Sequence, residues 1–129
     1  MKKILILIFC IFAFGVNAIE KETTFNKELF DKAQADGKIV IVSSWIKYCT
    51  SCASQMKILN KAKKEGKLSD IDFTNIEYLA FDVTNKEIAN LFDIQYQTSL
   101  LIFKGSNEVY RSIGETTEDL IYEAIKTSI

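Results

Sequence analysis

The chain after residue 20 alternates between two kinds of hydrophobic pattern. Two continuous apolar runs rich in β-branched residues, KIVIVSSW at 38–45 and IEYLAFDV at 76–83, are typical of strands buried on both faces. Between them, apolar side chains recur at helical spacing, at Cys52, Met56, Leu59 and Ala62. This stripe predicts a helix that ends near Gly66, with lysines in its last turns on a solvated face. The stretch GKLSDIDFTN at 66–75 predicts a polar connection.

Residues able to cap a helix indicate where three further helices begin. The predicted N-caps are Thr24, Thr84 and Thr116, and the second and third form capping boxes with Glu87 and Asp119. The first of these helices is expected to run to about Asp36 and to end at Gly37. The apolar faces predicted for the three helices are, in chain order, Phe25, Leu29 and Ala33; Ile88, Leu91 and Phe92; and Leu120, Ile121, Ala124 and Ile125.

The last strands are predicted to form a hairpin. SLLIFKGSNEVYRSI at 99–113 contains two strand-like segments joined by a turn at Gly105, Ser106 and Asn107. The element order is then helix, strand, helix, strand, helix, strand, strand, helix. Helices between the first strands require crossover connections and parallel strands, while the hairpin adds an antiparallel edge. The predicted fold class is α/β, with a mixed central sheet and helices on both faces.

The first eighteen residues, MKKILILIFCIFAFGVNA, have the organisation of a secretory signal peptide. Lys2 and Lys3 precede thirteen largely apolar residues at 4–16, and a small-residue cleavage site ends at Ala18. An apolar run of this length is shorter than the roughly 20 residues that a membrane-spanning helix needs. We therefore expect cleavage after Ala18, a single domain at 19–129, and a soluble protein that is periplasmic or otherwise exported. An uncleaved N-terminal anchor is the alternative.

Composition narrows the possible functions of the exported chain. Removal of 18 of the 129 residues leaves 111, enough for one domain, with 14 basic and 17 acidic residues and a formal charge of −3. Such a charge gives no electrostatic footprint for nucleic acid, so proteins or small thiols are the expected partners. A monomer is expected.

Only two cysteines, Cys49 and Cys52, would remain after cleavage, because Cys10 leaves with the signal peptide. A bridge between them closes too short a loop to constrain the unfolded chain strongly, so a purely structural role is disfavoured. A zinc site needs four ligands, and the chain has no histidine and no third exported cysteine. We therefore expect no metal, short of one shared between two copies, and no other cofactor. Cysteine–histidine nucleophilic catalysis fails for the same missing histidine.

The position of the pair favours redox chemistry. Cys49 is predicted to follow a buried strand and to lie at the N-terminus of the next helix, where free N–H groups and the helix dipole stabilise a thiolate. In a Cys-x-x-Cys motif such a site lowers the cysteine pKa from about 8.5 to roughly 3.5–7.5. Lys47 could add to this effect. Cys49 is then the nucleophile toward a substrate disulfide, and the more buried Cys52 resolves the mixed disulfide.

The sequence also resembles a known family. WIKYCTSC at 45–52 resembles the thioredoxin active-site stretch Trp-x-x-Trp-Cys-x-x-Cys, with Tyr48 in place of the second tryptophan. FDVTNKEIANLFDIQYQTSLLIFKGSNEVYRSIG at 81–114 is similar to the second half of thioredoxins, above all to the periplasmic C-terminal domain of thiol:disulfide interchange reductases of the DsbD type. The resemblance implies a thioredoxin-like fold and a redox-active disulfide between Cys49 and Cys52.

Three departures from the family pattern affect the site. Ser43 stands where many thioredoxins have a buried aspartate, so deprotonation of Cys52 must rely on water or another group. Thr50 and Ser51 replace the usual Gly-Pro, so a redox potential cannot be transferred. Thr98 occupies the position of the family's cis-proline. Because a non-proline cis bond costs about 2.5–4 kcal/mol, we predict a trans Gln97–Thr98 bond beside both cysteines.

The residues expected to bind substrate are Tyr48, Gln97 and Thr98. In the family the loop at Thr98 pairs through its backbone with an extended substrate segment, and the Thr98 hydroxyl adds a hydrogen-bonding group near the thiolate. Simple drift in a chain without proline is the alternative for Thr98. Tyr48 is predicted either to pack locally or to line the docking surface, whereas Trp45 is predicted to pack under the active-site helix.

The expected function is an exported thiol:disulfide oxidoreductase that exchanges its dithiol with protein substrates. Reduction is the expected direction because the closest resemblance is to reductases. A membrane-embedded electron donor would fit, since an exported protein cannot draw directly on cytoplasmic NADPH. The alternatives are a disulfide oxidant or isomerase, and a redox-inert adaptor whose disulfide is fixed.

Overall fold

The computed structural model describes residues 21–129, so the predicted signal peptide lies outside the described residues. Four helices and six strands follow one another in this part of the chain: α1 (Lys27–Ala35), β1 (Ile39–Trp45), α2 (Thr50–Glu65), β2 (Lys67–Leu68), β3 (Ile71–Asp72), β4 (Ile76–Asp82), α3 (Lys86–Leu91), β5 (Ser99–Lys104), β6 (Asn107–Ile113) and α4 (Glu118–Lys126). Within the same residues, no helix combines the length and the apolar character that a membrane crossing requires.

The central sheet is mixed, as predicted. Its strand order is β4-β1-β5-β6, with β1 parallel to β4 and antiparallel to β5. The crossover through α2 makes the first pair parallel, and the turn at Gly105, whose φ is +61°, folds β6 back along β5. The central strand β1 ends at Trp45, and a short connection at 46–49 leads from it to the start of α2 at Thr50.

Two apolar clusters cover the two faces of the sheet. One face is packed by α2 and α4, with buried residues that include Met56, Leu59, Ile121 and Ile125. The other face is packed by α1 and α3 and is rich in phenylalanine, with Phe30, Phe81, Phe92 and Phe103 buried and Phe25 packed against them. Because β1 is covered on both faces, its run Val40–Ser44 is fully buried, which explains its continuous apolar pattern.

The predicted helix starts are each displaced by one or two residues. The N-caps are Asn26, Asn85 and Thr117, whose side chains accept hydrogen bonds from first-turn N–H groups. Thr24, the predicted first cap, instead bonds to the backbone of Ala80 in β4. Leu29, Leu91 and Leu120, which were predicted to face the core, are about half exposed. The buried residues of these helices are instead Phe30 and Ala33 in α1, Ala89 in α3, and Ile121, Ala124 and Ile125 in α4.

The prediction of a polar connection at 66–75 is wrong in one respect. β2 and β3 form a small antiparallel hairpin there, and Leu68, Ile71 and Phe73 are buried against the face that α2 and α4 cover. Gly66 ends α2 in the left-handed conformation, as predicted, with φ +74°. The hairpin therefore extends the apolar cluster that α2 and α4 cover.

Candidate active site

The two cysteines lie at the junction between β1 and α2. Tyr48 adopts a left-handed conformation, with φ +65°, and turns the chain out of the strand. Cys49 is the N-cap of α2, and its Sγ accepts a hydrogen bond from the Cys52 N–H at 3.2 Å. The two cysteines form a disulfide with a Cα–Cα distance of 5.3 Å. The sulfur of Cys49 is therefore at the positive end of a sixteen-residue helix.

Burial separates the two cysteines as predicted. Cys52 is 0% exposed, whereas Cys49 is partly exposed. An incoming disulfide can reach only the first sulfur without a rearrangement of the chain. The arrangement therefore suits Cys49 as the sulfur that reacts with a substrate disulfide and Cys52 as the sulfur that resolves the resulting mixed disulfide.

Thr98 lies beside both sulfurs, although it is 46 residues from Cys52 in sequence. Its Oγ1 is 3.2 Å from Cys52 Sγ and 3.6 Å from Cys49 Sγ. The described residues contain no cis peptide bond, so the predicted trans bond before Thr98 is confirmed. Its side chain and backbone are almost completely buried, at 4% exposure.

The backbone of Thr98 is already fully used. Its N–H donates to Ser44 O at 2.9 Å, and its carbonyl accepts from Gly114 N at 3.0 Å. Neither group is free to pair with a substrate strand. The adjacent Gln97 is exposed, and within residues 21–129 its N–H and C=O have no hydrogen-bond partner. Backbone pairing with a substrate is therefore available at Gln97, and substrate contact by Thr98 stays a prediction.

Three polar residues that shape the site were missed in the sequence. Ser51 Oγ lies 3.1 Å from Thr98 Oγ1 and 3.4 Å from Cys49 Sγ. Ser44 Oγ accepts from Ser99 N and donates to Tyr96 O, which holds the loop before β5 against β1. The Nε2 of the buried Gln55 donates to the carbonyls of Thr98 and Glu115. Only Ser51 had a local signal, its position between the two cysteines.

Ser43, at the position of the family's buried aspartate, forms a neutral pair with Tyr78. The two hydroxyls are 2.7 Å apart and both residues are buried. Burial raises the pKa of Tyr78 above its ordinary value, and the hydrogen bond from Ser43 opposes the rise only in part. Both groups are therefore uncharged at neutral pH, so this pair offers no base for Cys52.

The aromatic residues around the motif differ in exposure. Tyr48 is 89% exposed, with Lys47 Nζ 5.0 Å from its ring centre, so it lies on the surface next to Cys49 rather than packing locally. Trp45 packs against the cluster that contains Met56 and Leu59 of α2, as predicted. Its Nε1 is buried and has no hydrogen-bond partner within residues 21–129.

A groove of about 380 Å³ includes Tyr96, the residue that precedes Gln97 in the chain. It is lined by residues of the loop before β5 and by the end of β6, among them Tyr96, Arg111 and Ile113. Tyr96 is 60% exposed and Ile113 is 59% exposed. The groove therefore offers exposed apolar side chains in the same loop as Gln97.

The sequence and the structure both have recognisable relatives. The sequence matches the family model described as Thioredoxin over residues 17–127. It is 23% identical over 97 residues to "Thioredoxin H-type" of Fagopyrum esculentum, a match that covers 74% of this chain and 78% of the relative. The structure is similar to Trxlp from Edwardsiella tarda EIB202, with a TM-score of 0.67, 23% identity, and coverage of 77% of this chain and 92% of that chain. It is also similar to Fasciola hepatica thioredoxin, with a TM-score of 0.64, 20% identity, and coverage of 79% and 89%.

Proposed function

This chain belongs to the thioredoxin family, and from that membership we propose that it is an exported reductase of protein disulfides. It is a thiol:disulfide oxidoreductase whose redox pair is Cys49 and Cys52. The observation that carries the proposal is the asymmetry of this pair, one sulfur partly exposed at a helix N-terminus and the other fully buried beneath it.

The reductive cycle begins with the dithiol form. The Cys49 thiolate attacks one sulfur of a substrate disulfide, and the other substrate sulfur leaves as a thiolate and takes a proton from solvent. Cys52 then loses its proton and attacks Cys49 Sγ, which releases the second substrate thiolate and forms the Cys49–Cys52 disulfide. The substrate gains two electrons and the protein loses two, so an external dithiol must restore the reduced pair.

The direction of electron flow is supported by the similarity of residues 81–114 to the reductase domains named above. A disulfide oxidant or isomerase would use the same pair in the opposite or in a neutral direction. An adaptor with a fixed disulfide would use only the surface. The solvent exposure of Cys49 favours the enzymatic alternatives, because a fixed cross-link gains nothing from an accessible sulfur.

Substrate docking is proposed at the surface between Tyr48 and Gln97. An extended substrate segment can exchange hydrogen bonds with the free N–H and C=O of Gln97 while its cysteine faces Cys49. Tyr48, at 89% exposure, and the groove beside Tyr96 supply apolar contact on either side. Thr98 contributes its hydroxyl, which lies next to Cys49 Sγ, because its backbone N–H and C=O are already hydrogen-bonded within the protein.

Export is supported by the signal-peptide pattern of residues 1–18, and a membrane-embedded dithiol donor is the electron source that fits an exported reductase. The N-terminal sequence of the protein recovered from the periplasm or the medium tests export. The expected mature chain begins at Ile19. Recovery of the full chain in the membrane fraction, beginning at Met1, would instead support the uncleaved anchor.

Reduction of insulin disulfides in the presence of an external dithiol tests the activity. We expect the wild-type protein to accelerate precipitation of the insulin B chain and Cys49→Ser to match the uncatalysed rate. Failure of the wild type would favour the adaptor. Equilibration with glutathione buffers then gives the reduction potential: a value near that of thioredoxin, about −270 mV, supports a reductase, whereas one near −120 mV supports an oxidant.

A further inference from the structure

The buried position of Cys52 creates a requirement for proton transfer. Cys52 must lose a proton when it attacks the mixed disulfide, yet it is 0% exposed. Ser43, which replaces the family's aspartate, is committed to Tyr78. We propose that the hydroxyls of Thr98 and Ser51 carry the Cys52 proton to solvent, with Thr98 as a catalytic residue of the resolving step. This inference rests on the roles of Cys49 and Cys52 in the proposed function, but not on the direction of electron flow.

The proposed path is short and continuous. Thr98 Oγ1 is 3.2 Å from Cys52 Sγ, and Ser51 Oγ is 3.1 Å from Thr98 Oγ1. Exposure rises along the path, from 0% at Cys52 through 4% at Thr98 to the partly exposed Ser51. Each hydroxyl has one donor and two acceptor sites, so each can receive a proton on one side while it gives one up on the other.

The oxidised form shows which way the hydroxyls are arranged. A disulfide sulfur can accept a hydrogen bond but has no proton to donate. In the contact between Thr98 Oγ1 and Cys52 Sγ, the Thr98 hydroxyl is therefore the donor. Ser51 then donates to Thr98 Oγ1 or to Cys49 Sγ. After reduction the direction reverses, because the Cys52 thiol becomes the donor at the buried end.

The conformation of Thr98 holds its hydroxyl in place. Its φ of +61° is unfavourable for a β-branched residue. Three hydrogen bonds to the backbone of Thr98 fix this conformation. The Thr98 N–H donates to Ser44 O, and the Thr98 carbonyl accepts from Gly114 N and from Gln55 Nε2. Strained conformations that are held in this way are frequent at active sites. Here the result is a buried hydroxyl directed at both sulfurs.

Charged groups on the surrounding elements are otherwise engaged. The carboxylate of Glu115, whose backbone faces Gln55, accepts hydrogen bonds from the hydroxyls of Tyr110 and Ser112. Lys47 lies over the ring of Tyr48. On β1 the residues that precede this junction, Val40–Ser44, carry no charge. The first turn of α2, at 50–53, carries none either.

The proton balance of the step is complete. As Cys52 Sγ bonds to Cys49 Sγ, the Cys49–substrate sulfur bond breaks and its electron pair leaves with the substrate thiolate. The Cys52 proton passes to Thr98 Oγ1, the Thr98 proton to Ser51 Oγ, and the Ser51 proton to water. The substrate thiolate then takes a proton from solvent, and both hydroxyls end neutral with exchanged hydrogens.

The test isolates ring closure by Cys52. Reaction of the reduced protein with Ellman's reagent releases one thiolate when Cys49 attacks and a second when Cys52 closes the ring, and only the first phase depends on reagent concentration. Thr98→Val removes the hydroxyl at nearly constant volume, and Thr98→Ser restores it. We expect the second phase to slow about a hundredfold or more in Thr98→Val and to stay within about threefold of wild type in Thr98→Ser. Ser51→Ala should slow it less, because water can reach that position.

The pH dependence adds a readout that a structural role would not produce. In Thr98→Val the ring-closure rate should rise in proportion to hydroxide concentration, whereas the wild type should retain rapid closure at lower pH and show a solvent deuterium isotope effect. Wild-type ring closure in Thr98→Val would overturn the proposal. Equal slowing in Thr98→Val and Thr98→Ser, or equal slowing of both phases, would indicate a structural role and also overturn it.

Two further outcomes keep the proposals separable. If the wild type closes the ring normally but does not reduce insulin, the proposed reductase function fails and the proton path stands. If Thr98→Val does not fold, Ser51→Ala and the wild-type isotope effect decide, and an unchanged rate together with no isotope effect would overturn the path.

Discussion

Replacement of Tyr78 by phenylalanine tests the buried hydroxyl pair that stands in place of the family's aspartate. The substitution keeps the ring and removes one hydroxyl from a site that is 1% exposed. Ser43 Oγ, at 2.7 Å the one hydrogen-bond partner of this hydroxyl within residues 21–129, is then left buried and unsatisfied. A lost buried partner costs about 1–3 kcal/mol, so we expect Tyr78→Phe to lower the free energy of unfolding by that amount. Ser43→Ala should cost a similar amount, because it strands the Tyr78 hydroxyl.

The double variant supplies the test of coupling. With both hydroxyls gone, neither polar group remains unsatisfied, and replacement of both partners by apolar groups is close to neutral. The loss in Ser43→Ala/Tyr78→Phe should therefore be smaller than the sum of the single losses, by roughly 1–2 kcal/mol.

The stability of the wild type should also depend on pH in a way that Tyr78→Phe removes. Burial raises the pKa of Tyr78, so the folded state keeps its proton where an unfolded tyrosine loses it, near pH 10. Above that pH the unfolded state binds fewer protons than the folded state, and stability falls as pH rises. The difference in stability between the wild type and Tyr78→Phe should therefore narrow above about pH 10.

Urea unfolding of the oxidised protein, followed by far-ultraviolet circular dichroism at neutral and alkaline pH, measures these quantities. Tyr96→Phe is the matched control, because that tyrosine is 60% exposed and should show neither effect. Additive single losses, or curves for the wild type and Tyr78→Phe that stay parallel through pH 10, would refute the reasoning.

Three other predictions concern the motif itself. Cys52→Ser should accumulate mixed disulfides with substrate proteins, because the resolving sulfur is missing, and Cys49→Ser should trap almost none on non-reducing gels; equal trapping would contradict a directional mechanism. In the reduced wild type, iodoacetamide should label Cys49 before Cys52, as mass spectrometry of the peptides can show, because only Cys49 is exposed; earlier labelling of Cys52 would reverse the roles. Tyr48→Gly should be more stable than Tyr48→Ala by about 1 kcal/mol in urea unfolding, since only glycine relieves the φ of +65°, while both raise the KM for insulin; a less stable glycine variant would argue against strain at this position.

Elements that bury one continuous surface were predictable from the sequence. β1 carries an unbroken apolar run because helices cover both of its faces, and the stripe of α2 is regular because it packs on one side only. The helix starts were less predictable. More than one residue near each start can cap, and contacts outside the helix decide between them. Thr84 bonds to Asp82, which leaves Asn85 to cap α3, and Thr24 bonds to Ala80 of β4, which leaves Asn26 to cap α1.

The candidate site was predictable only as far as its residues are local. Cys49 and Cys52 share one turn of helix, so their spacing reveals the pair. Thr98 was placed beside them by its resemblance to a family position, and nothing in its own neighbourhood indicates the contact. The bond between Ser51 and Thr98 joins residues 47 apart. Contacts between side chains so far apart in sequence depend on the position of the loop before β5. Ser44 fixes that loop to β1 by hydrogen bonds with Tyr96 and Ser99, and such bonds produce no periodic pattern in the sequence.

The contrast between the two faces of the sheet has a consequence for how this protein can change. The redox pair and the strained Thr98 belong to the side of α2. So do Trp45 Nε1 and Gln55 Oε1, two buried atoms that have no hydrogen-bond partner in the described part of the chain. The opposite side is an apolar cluster that contains five phenylalanines, with neighbouring ring centres 5.2–6.3 Å apart. Substitutions that improve packing there should add independently to substitutions at the motif, because the sheet separates them. Stabilising substitutions on the phenylalanine side can therefore offset the loss of stability caused by substitutions that change the redox behaviour of the motif, so that the fold is kept.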